Sequence, residues 1–250
     1  MIAEIVSIGT ELLIGEIVNS NAATIARRLA EAGYDAHYQV TVGDNHDRIV
    51  TVLEAACGRA DVVVVTGGIG PTQDDLTKEA LCTVAGVSMS RDAEHAAKIH
   101  DRVMERRGYV LDSVLRMADV PAGGTALPNG NGLSLGVAVQ CRGAWVFVLP
   151  GVPREMELML DEQVMPRLTT LSGGDTVRSA VVRTQGLGES EVAHRLDALF
   201  ASRNPSIAFR ITDSEVHVRI TAKASSVAET DTMLEEMSAR VKDLLKDALV

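Results

Sequence analysis

Aromatic residues are scarce in this 250-residue chain: at 3% Phe, Tyr and Trp, stacking on aromatic platforms cannot be a main way of holding bases. Positive charge is also in short supply. Lys and Arg number 24 against 34 Asp and Glu, and the formal net charge of −10 argues against non-specific binding to nucleic acid or to an anionic membrane. A phosphate-bearing small molecule stays admissible, because its site is set locally. Cys57, Cys82 and Cys141 are an odd, scattered set without CxxC spacing, each inside an apolar pattern, so reduced core thiols in a cytoplasmic protein are expected. No apolar run reaches the length of a membrane span, and Met1-Ile2-Ala3-Glu4 lacks the basic start of a signal peptide. The six histidines have no metal-ligand spacing, and only His46 borders a turn of interest. GxSxG, GxxxxGKS or GxxxxGKT, and GxGxxG are all missing, which removes the evidence for a serine hydrolase, a P-loop or a Rossmann site.

What the chain does have is concentrated between Asp61 and Lys78, DVVVVTGGIGPTQDDLTK. Val62 to Val65 are too apolar and β-branched for a half-exposed strand and predict a central strand buried on both faces. Thr66, Gly67, Gly68, Ile69, Gly70 and Pro71 make a glycine turn with a stiff exit. Thr72 or Asp74 is placed to cap a following helix with Leu76, Ala80, Leu81 and Val84 on one face. A strand, a glycine turn and a helix start make an anion site. Asp74 and Asp75 at its mouth would repel a phosphate unless a cation lay between, so the pattern points to a phosphate ester held through a divalent metal, Mg or similar. Alternatively the two aspartates only cap the helix and favour its dipole.

Read in order, the chain opens with a β-α-β-α-β run. Its strands are Glu4 to Gly9, Asp35 to Val42 and Val62 to Val65; Asn19 or Ser20 caps the first helix, and the second spans about Asp47 to Gly58. Right-handed connections give a parallel sheet with helices on both faces and a ligand site at the strand C-termini. Glu11, Asp44 and the loop from Gly67 to Asp75 all follow such ends. Asp92 to Gly108 reads as a charged helix. Pro121 to Gly136, with five glycines and two prolines, cannot be regular for long. Val137 to Gln140 and Trp145 to Leu149 form a hairpin around Arg142-Gly143; Pro150-Gly151-Val152-Pro153 then starts a helix with Met156, Met159 and Leu160 facing the core. A boundary falls near Leu171 to Asp175. Beyond it comes a β-α-β-β-α unit: strands Val177 to Gln185, Ile207 to Thr212 and Glu215 to Ala224, helices Glu189 to Ala201 and Val227 to Leu249. The fold expected is α/β: a doubly wound, mostly parallel sheet in residues 1–170 and a smaller α+β domain in residues 171–250.

TGGIGPTQDDLTKEA resembles the loop of the molybdopterin-binding-like domain of the competence/damage-inducible CinA family. Three further stretches agree in order: Ile5 to Ala22 (IVSIGTELLIGEIVNSNA), VGDN at Val42 to Asn45, and LPGVPREM at Leu149 to Met156. The match covers residues 1 to about 170, and a weaker one continues through Gly186 to Ser190. The resemblance implies pterin binding or nucleotide pyrophosphate cleavage, a KH-like small domain, and a homo-oligomer, dimer or trimer. The amidase domain that often follows in the family is not found here, so nicotinamide-nucleotide deamidation is not expected. KH domains clamp nucleic acid with GxxG; Gly186-Leu187-Gly188-Glu189 has an acidic residue in place of the second glycine, so no nucleic-acid partner is expected. The family's Gly-Thr-Ala-Pro-Gly stretch is represented by Gly132-Leu133-Ser134-Leu135-Gly136, which puts ligand preference and turnover in question.

Together these features lead to a metal-dependent hydrolase cleaving the pyrophosphate of ADP-ribose or a related nucleotide. The alternatives are a pterin- or nucleotide-binding protein without turnover, and a non-catalytic oligomeric scaffold. The expected catalytic set is Glu11, Asp74, Asp75 and Lys78, with Asp74, Asp75 and Glu11 on the metal. The expected ligand-binding set is Thr66, Gly67, Gly68, Gly70, Thr72, Asp44, Asn129, Gly136, Pro150 and Gly151. Lys78 could neutralise phosphate as a point charge or pair with Asp74 on a solvated face, and Asp44 could ligate or merely cap the next helix.

Overall fold

The structure, a computed structural model, describes residues 1–173, 176–212 and 215–250. Gly174 and Asp175, part of the expected boundary, lie outside the described residues, as do Asp213 and Ser214. The chain divides into two compact units, Met1–Ala30 with Tyr34–Leu168, and Glu31–Gly33 with Thr169–Val250.

The larger unit begins β1 (Ile2–Ile8), α1 (Thr10–Leu13), α2 (Ser20–Glu31), β2 (Asp35–Val42), α3 (His46–Cys57), β3 (Val62–Thr66) and α4 (Thr77–Ala85). It continues with β4 (Met89–Arg91), α5 (Ala93–Arg107), α6 (Asp112–Leu115), β5 (Asp119–Pro121), β6 (Thr125–Leu127), β7 (Gly136–Cys141), β8 (Ala144–Leu149) and α7 (Pro153–Met159). A π-helical turn, Leu160–Val164, joins α7 to α8 (Met165–Leu171). The main sheet runs β2-β1-β3-β8-β7-β6. Its first three pairings are parallel; β8–β7 and β7–β6 are antiparallel. The mostly parallel sheet is therefore present, with the hairpin read around Arg142-Gly143 at one side.

The four valines of β3 are fully buried because the strand has hydrogen-bonded neighbours on both edges and side chains packed on both faces. Val63 and Val65 join Leu53, Leu81 and Val146 in the principal core. A fully buried Val contributes about 1.5–3 kcal/mol. The strand order places β1 between β2 and β3: the chain leaves β1 toward one side and returns on the other. The crevice beyond the C-termini of β1 and β3 is thus the switch point at which ligands bind in such sheets. Gly9 to Glu11 leave β1 there, and the Gly67 to Asp75 loop leaves β3 there.

One buried carboxylate belongs to the framework. Glu4, in β1, is fully enclosed and takes a two-pronged bond from Arg59 (2.7 Å on each oxygen), whose guanidinium lies 3.8 Å from the Tyr38 ring centre.

The smaller unit holds β9 (Thr176–Gln185), α9 (Glu189–Arg195), β10 (Ser206–Ile211), β11 (Glu215–Ala224) and α10 (Val227–Leu244), with sheet order β10-β11-β9. Val216, Val218 and Ile220 are buried against Leu234, Met237 and Val241, as the alternation in β11 predicts. Both of its helices are shorter than expected. α9 gives way to a 3₁₀ turn at Asp197–Leu199, and α10 ends at Leu244, after which Leu249 bridges to Thr184.

Candidate functional site

A cleft of about 790 Å³ opens at the switch point of the larger unit. Of the expected site residues it brings together Glu11, Asp44, Gly67, Gly68, Gly70, Asp74, Asp75, Pro150 and Gly151. The glycines are there for space. A Cβ on Gly67 (φ 101°) would run into the Ile8 carbonyl oxygen, and Gly151 lies 3.4 Å from the Gly67 Cα as measured from its own virtual Cβ. The Gly67 amide donates to the Leu149 carbonyl at 3.0 Å. The amides of Gly68, Ile69 and Gly70 make no bond within the protein among the described residues, which leaves three consecutive donors for an anion.

The carboxylates differ in how far the protein already occupies them. Asp75 accepts from the Thr72 amide (2.8 Å) and hydroxyl (2.5 Å), so Thr72 holds Asp75 in place and does not cap α4. The same Thr72 side chain, and then Asp74's own backbone, hold the Asp74 carboxyl below the usual aspartate value; the hydroxyl's one proton sits in the well-formed bond to Asp75. Neither Thr72 nor Asp74 caps the helix, a correction with a simple cause: the loop runs on to Leu76, and Thr77 opens α4 by donating its hydroxyl to the Gly67 carbonyl (2.8 Å). Asp44 accepts from the Thr10 amide and hydroxyl (both 2.8 Å), tying the end of β2 to α1. The cap of α3 is Asn45, which accepts from the Arg48 amide, so Asp44 is not that cap. Glu11 is not engaged by any donor among the described residues; its carboxylate packs over Gly9, where a Cβ would come within 2.5 Å of Oε1.

Other expected residues stand behind the cleft wall. Thr66 is buried and donates to the Pro150 carbonyl (2.8 Å), while Asn21 bonds both Thr66 and the Gly151 carbonyl (3.1 and 2.8 Å). Asn129 donates to Glu155 (2.7 Å), which lines the cleft. Gly136 backs onto Met159 and the Val148 carbonyl. The altered stretch between the flanking glycines is well accommodated: Leu135 is 2% exposed in the principal core, Leu133 packs with Ile99 and Val103, and Ser134 lines the cleft. His46 bonds Asp47 and Thr83 and does not line the cleft.

Lys78 differs most from expectation. It is 4% exposed, off the solvated face, and donates to the Met117 carbonyl at 3.1 Å, so it is no surface partner of Asp74. It lines a small void behind the loop with Asp75, Glu79, Arg116 and Asp119. Burial pulls its ammonium down to about 8, against the opposing pull of Asp119 and Glu79. Arg116 clamps the same loop from outside, donating to the Thr72 and Asp75 carbonyls (3.1 and 3.2 Å) and to Glu79 (2.5 Å).

The cations that do line the cleft are Arg102, Arg106 and Arg107 of α5, which in the sequence are legible only as part of a charged helix. Their signal was the i,i+4 spacing of Arg102 and Arg106 beside buried Val103. Glu11, Asp74 and Asp75 are not brought together as a ligand cluster: among the described residues no three His, Cys, Asp or Glu side chains are grouped to hold a metal ion. No helix among them is long and apolar enough to cross a membrane.

Residues 4–170 match the family described as "Probable molybdopterin binding domain", and residues 179–250 match "Damage-inducible protein CinA KH domain". A relative from Clostridium beijerinckii is 39% identical over 248 residues, 99% of this chain and 60% of its own length. A CinA-like protein of Desulfovibrio desulfuricans is 38% identical over 250 residues, 100% of this chain and 58% of its own. The chain thus spans about 60% of the length of these curated relatives. Among solved structures, the CinA protein of Thermoplasma acidophilum, titled as of unknown function, aligns with a TM-score of 0.60 at 33% identity, over 64% of this chain and 94% of that one. With the family match covering two thirds of its residues and carrying the loop, the switch-point cleft and the small unit in order, the chain belongs to the CinA family of molybdopterin-binding-like proteins.

Proposed function

We propose that this chain is a metal-dependent hydrolase that cleaves the pyrophosphate of an ADP-ribose-like nucleotide. The observation that carries the reading is a single cleft combining three unbonded loop amides, the unengaged Glu11, the Asp74–Asp75 pair and exposed guanidinium groups. Ile8, Ile69, Val103 and Leu133 add apolar surface for a base or ring.

The donors are all oxygen, the set that suits a hard divalent ion. Magnesium binds through one or two carboxylates together with substrate phosphates and water, so it does not require the three-carboxylate group that is not found among the described residues. Asp74 and Asp75 are the residues that would hold it, leaving Glu11 for the attacking water, and it would neutralise charge on the diphosphate oxygens. The protein's own groups do the rest. The Gly68 to Gly70 amides orient one phosphate, and the Thr72 bonds fix Asp75. Glu11 takes the proton of the attacking water as oxygen bonds to phosphorus. The bridging P–O bond breaks, and a nucleoside monophosphate and a sugar phosphate leave.

Product analysis with a panel of diphosphate-bridged dinucleotides, with magnesium and then with chelator, tests the reading. Monophosphate products that chelator abolishes are expected; saturable binding without products in any metal would overturn it. The second reading, a pterin- or nucleotide-binding protein without turnover, is favoured by one observation: Asp44, Asp75 and Glu155 are already engaged by protein donors.

A further inference from the structure

Arg102, Arg106 and Arg107 line the cleft, are exposed, and make no ion pair among the described residues. Acid is not lacking nearby. Lys98, on the same helix, pairs with Glu94 at 2.7 Å, and Arg91, just before α5, bonds Asp119 and Asp112. Helix electrostatics explain part of the pattern, since Arg106 and Arg107 occupy the last turn, where cations favour the dipole. They do not explain Arg102. It stands a full turn earlier, in an i,i+4 row Lys98–Arg102–Arg106 that sets like charges one above another, a spacing that weakens a helix.

The rest of the cleft's charge is negative: Glu11, Asp44, Asp74, Asp75 and Glu155. Beside five carboxylates, and apart from any ion that arrives with it, a diphosphate needs more positive charge than three amides supply. Forked guanidinium groups, each able to grip two oxygens, are the natural counterpart of a group with several phosphate oxygens. We infer that Arg102, Arg106 and Arg107 form the phosphate-receiving wall of the cleft, gripping diphosphate oxygens directly, and that they select ligands carrying two linked phosphates over monophosphates and uncharged rings. The assignment rests on the cleft being the substrate site, as proposed above, but not on hydrolysis taking place there. Part of the affinity then needs no metal, and that part is sensitive to salt, because the arginines are exposed.

Calorimetric titration of the full chain with inorganic pyrophosphate and with inorganic phosphate, in chelator at low and moderate salt, tests this. Pyrophosphate should bind more tightly than phosphate and weaken as salt rises. The double substitution Arg102→Ala with Arg106→Ala should weaken pyrophosphate binding about tenfold or more, the effect of losing charged hydrogen bonds. Lysine at both positions should restore only part of it, since the charge returns without the fork. Lys98→Ala, in the same charge row but outside the cleft, should leave binding unchanged. If the double variant melts early, Arg102→Ala alone carries the test, with a loss of about threefold or more. Wild-type affinity in the arginine variants, an equal loss in Lys98→Ala, or no pyrophosphate binding by the wild type would each overturn the assignment. Arginine-dependent pyrophosphate binding in a chain that turns over no dinucleotide would sink the hydrolase and leave the wall standing.

Discussion

At Gly67 and Gly68 an added methyl group would run into the Ile8 carbonyl oxygen and the Thr77 hydroxyl; at Gly186 and Gly188 it would meet nothing within 4 Å. Both pairs lie in a turn that leaves a strand and enters a helix, β3 to α4 in the larger unit and β9 to α9 in the smaller. Gly67, Gly68 and Gly186 all have positive φ, so conformation alone does not separate the two turns. Crowding does. In the first turn the Ile8 carbonyl, Gly151 and the Thr77 hydroxyl close on the loop, whose Gly68 to Gly70 amides have no partner among the described residues. In the second, glycine serves only the direction of the chain. Ion pairing does not separate the two units. Arg178, Arg183 and Arg195 of the smaller unit are paired with Asp231, Glu215, and Glu191 with Asp247, but Arg203, Arg210, Arg219 and Arg240 there, like the cleft's Arg102, Arg106 and Arg107, make no ion pair among the described residues. A glycine turn is a candidate binding cradle when its neighbours need the missing side chain's space and it faces a cleft.

The largest expected effect breaks or confirms that contrast directly. Gly67→Ala adds strain at positive φ to a clash with backbone and should cost about 3 kcal/mol or more. Gly188→Ala, with an ordinary φ of −76° and open space, should stay within about 0.5 kcal/mol of wild type. Urea unfolding of both variants measures the difference. Equal stabilities would mean that the crowding around Gly67 relaxes freely.

The cradle should next be told from its turn by chemistry. Asp74→Asn is expected to lower turnover on the order of a hundredfold, the loss of one electrostatic stabiliser, with little change in melting temperature. Asp75→Asn should lose a similar factor and also loosen the loop, because Asp75 bonds both Thr72 donors. Substituting Glu189, after the second turn, should leave turnover alone. Full activity in Asp74→Asn would return that residue to the role of a loop carboxylate. Measurable, salt-sensitive RNA binding by the full chain at physiological ionic strength would contradict the passive reading of the second turn.

Much of this was legible in the amino-acid order, and the failures have physical causes. Four valines followed by glycines specify a buried strand and its exit because no other element tolerates both. The cap of α4 is not legible because Thr72, Asp74 and Asp75 all have the chemistry of a cap; only the folded loop shows that Thr72 and Asp75 satisfy each other. Arg102 and Arg106 are legible only as part of a charged helix, because sequence shows that a helix is amphipathic and not what its polar side confronts. Periodicity placed Lys78 outside the apolar stripe of Ala80, Leu81 and Val84, yet Thr77, Lys78 and Cys82 are buried as well. The cover comes from the distant segment at Arg116 and Met117, which local pattern does not reveal.

Lys78 gives the smallest effect and the most diagnostic one, since no lysine of the smaller unit is buried among the described residues. Its ammonium titrates near 8 in the folded chain against an ordinary value of 10.5. Between those values the unfolded chain holds a proton that the folded chain has released, so the Lys78 contribution to stability rises with pH through that window and is most unfavourable below it. Tyr34 and Cys57, both pushed up to about 12 by burial, act in the opposite sense, because their folded forms keep protons that the unfolded chain gives up. The wild-type profile alone therefore mixes two trends, and a difference between variants separates them. Lys78→Met removes the titrating group and leaves the Met117 carbonyl its bond from the Leu135 amide (2.9 Å). The variant should gain on the wild type below pH 8, and that gain should shrink by about 1–2 kcal/mol on moving from pH 8 to pH 9.5. Urea midpoints of the two proteins across that range measure it. A gap that does not change with pH would place the Lys78 ammonium in water, and the loop from Gly67 to Asp75 would then rest on Arg116 alone.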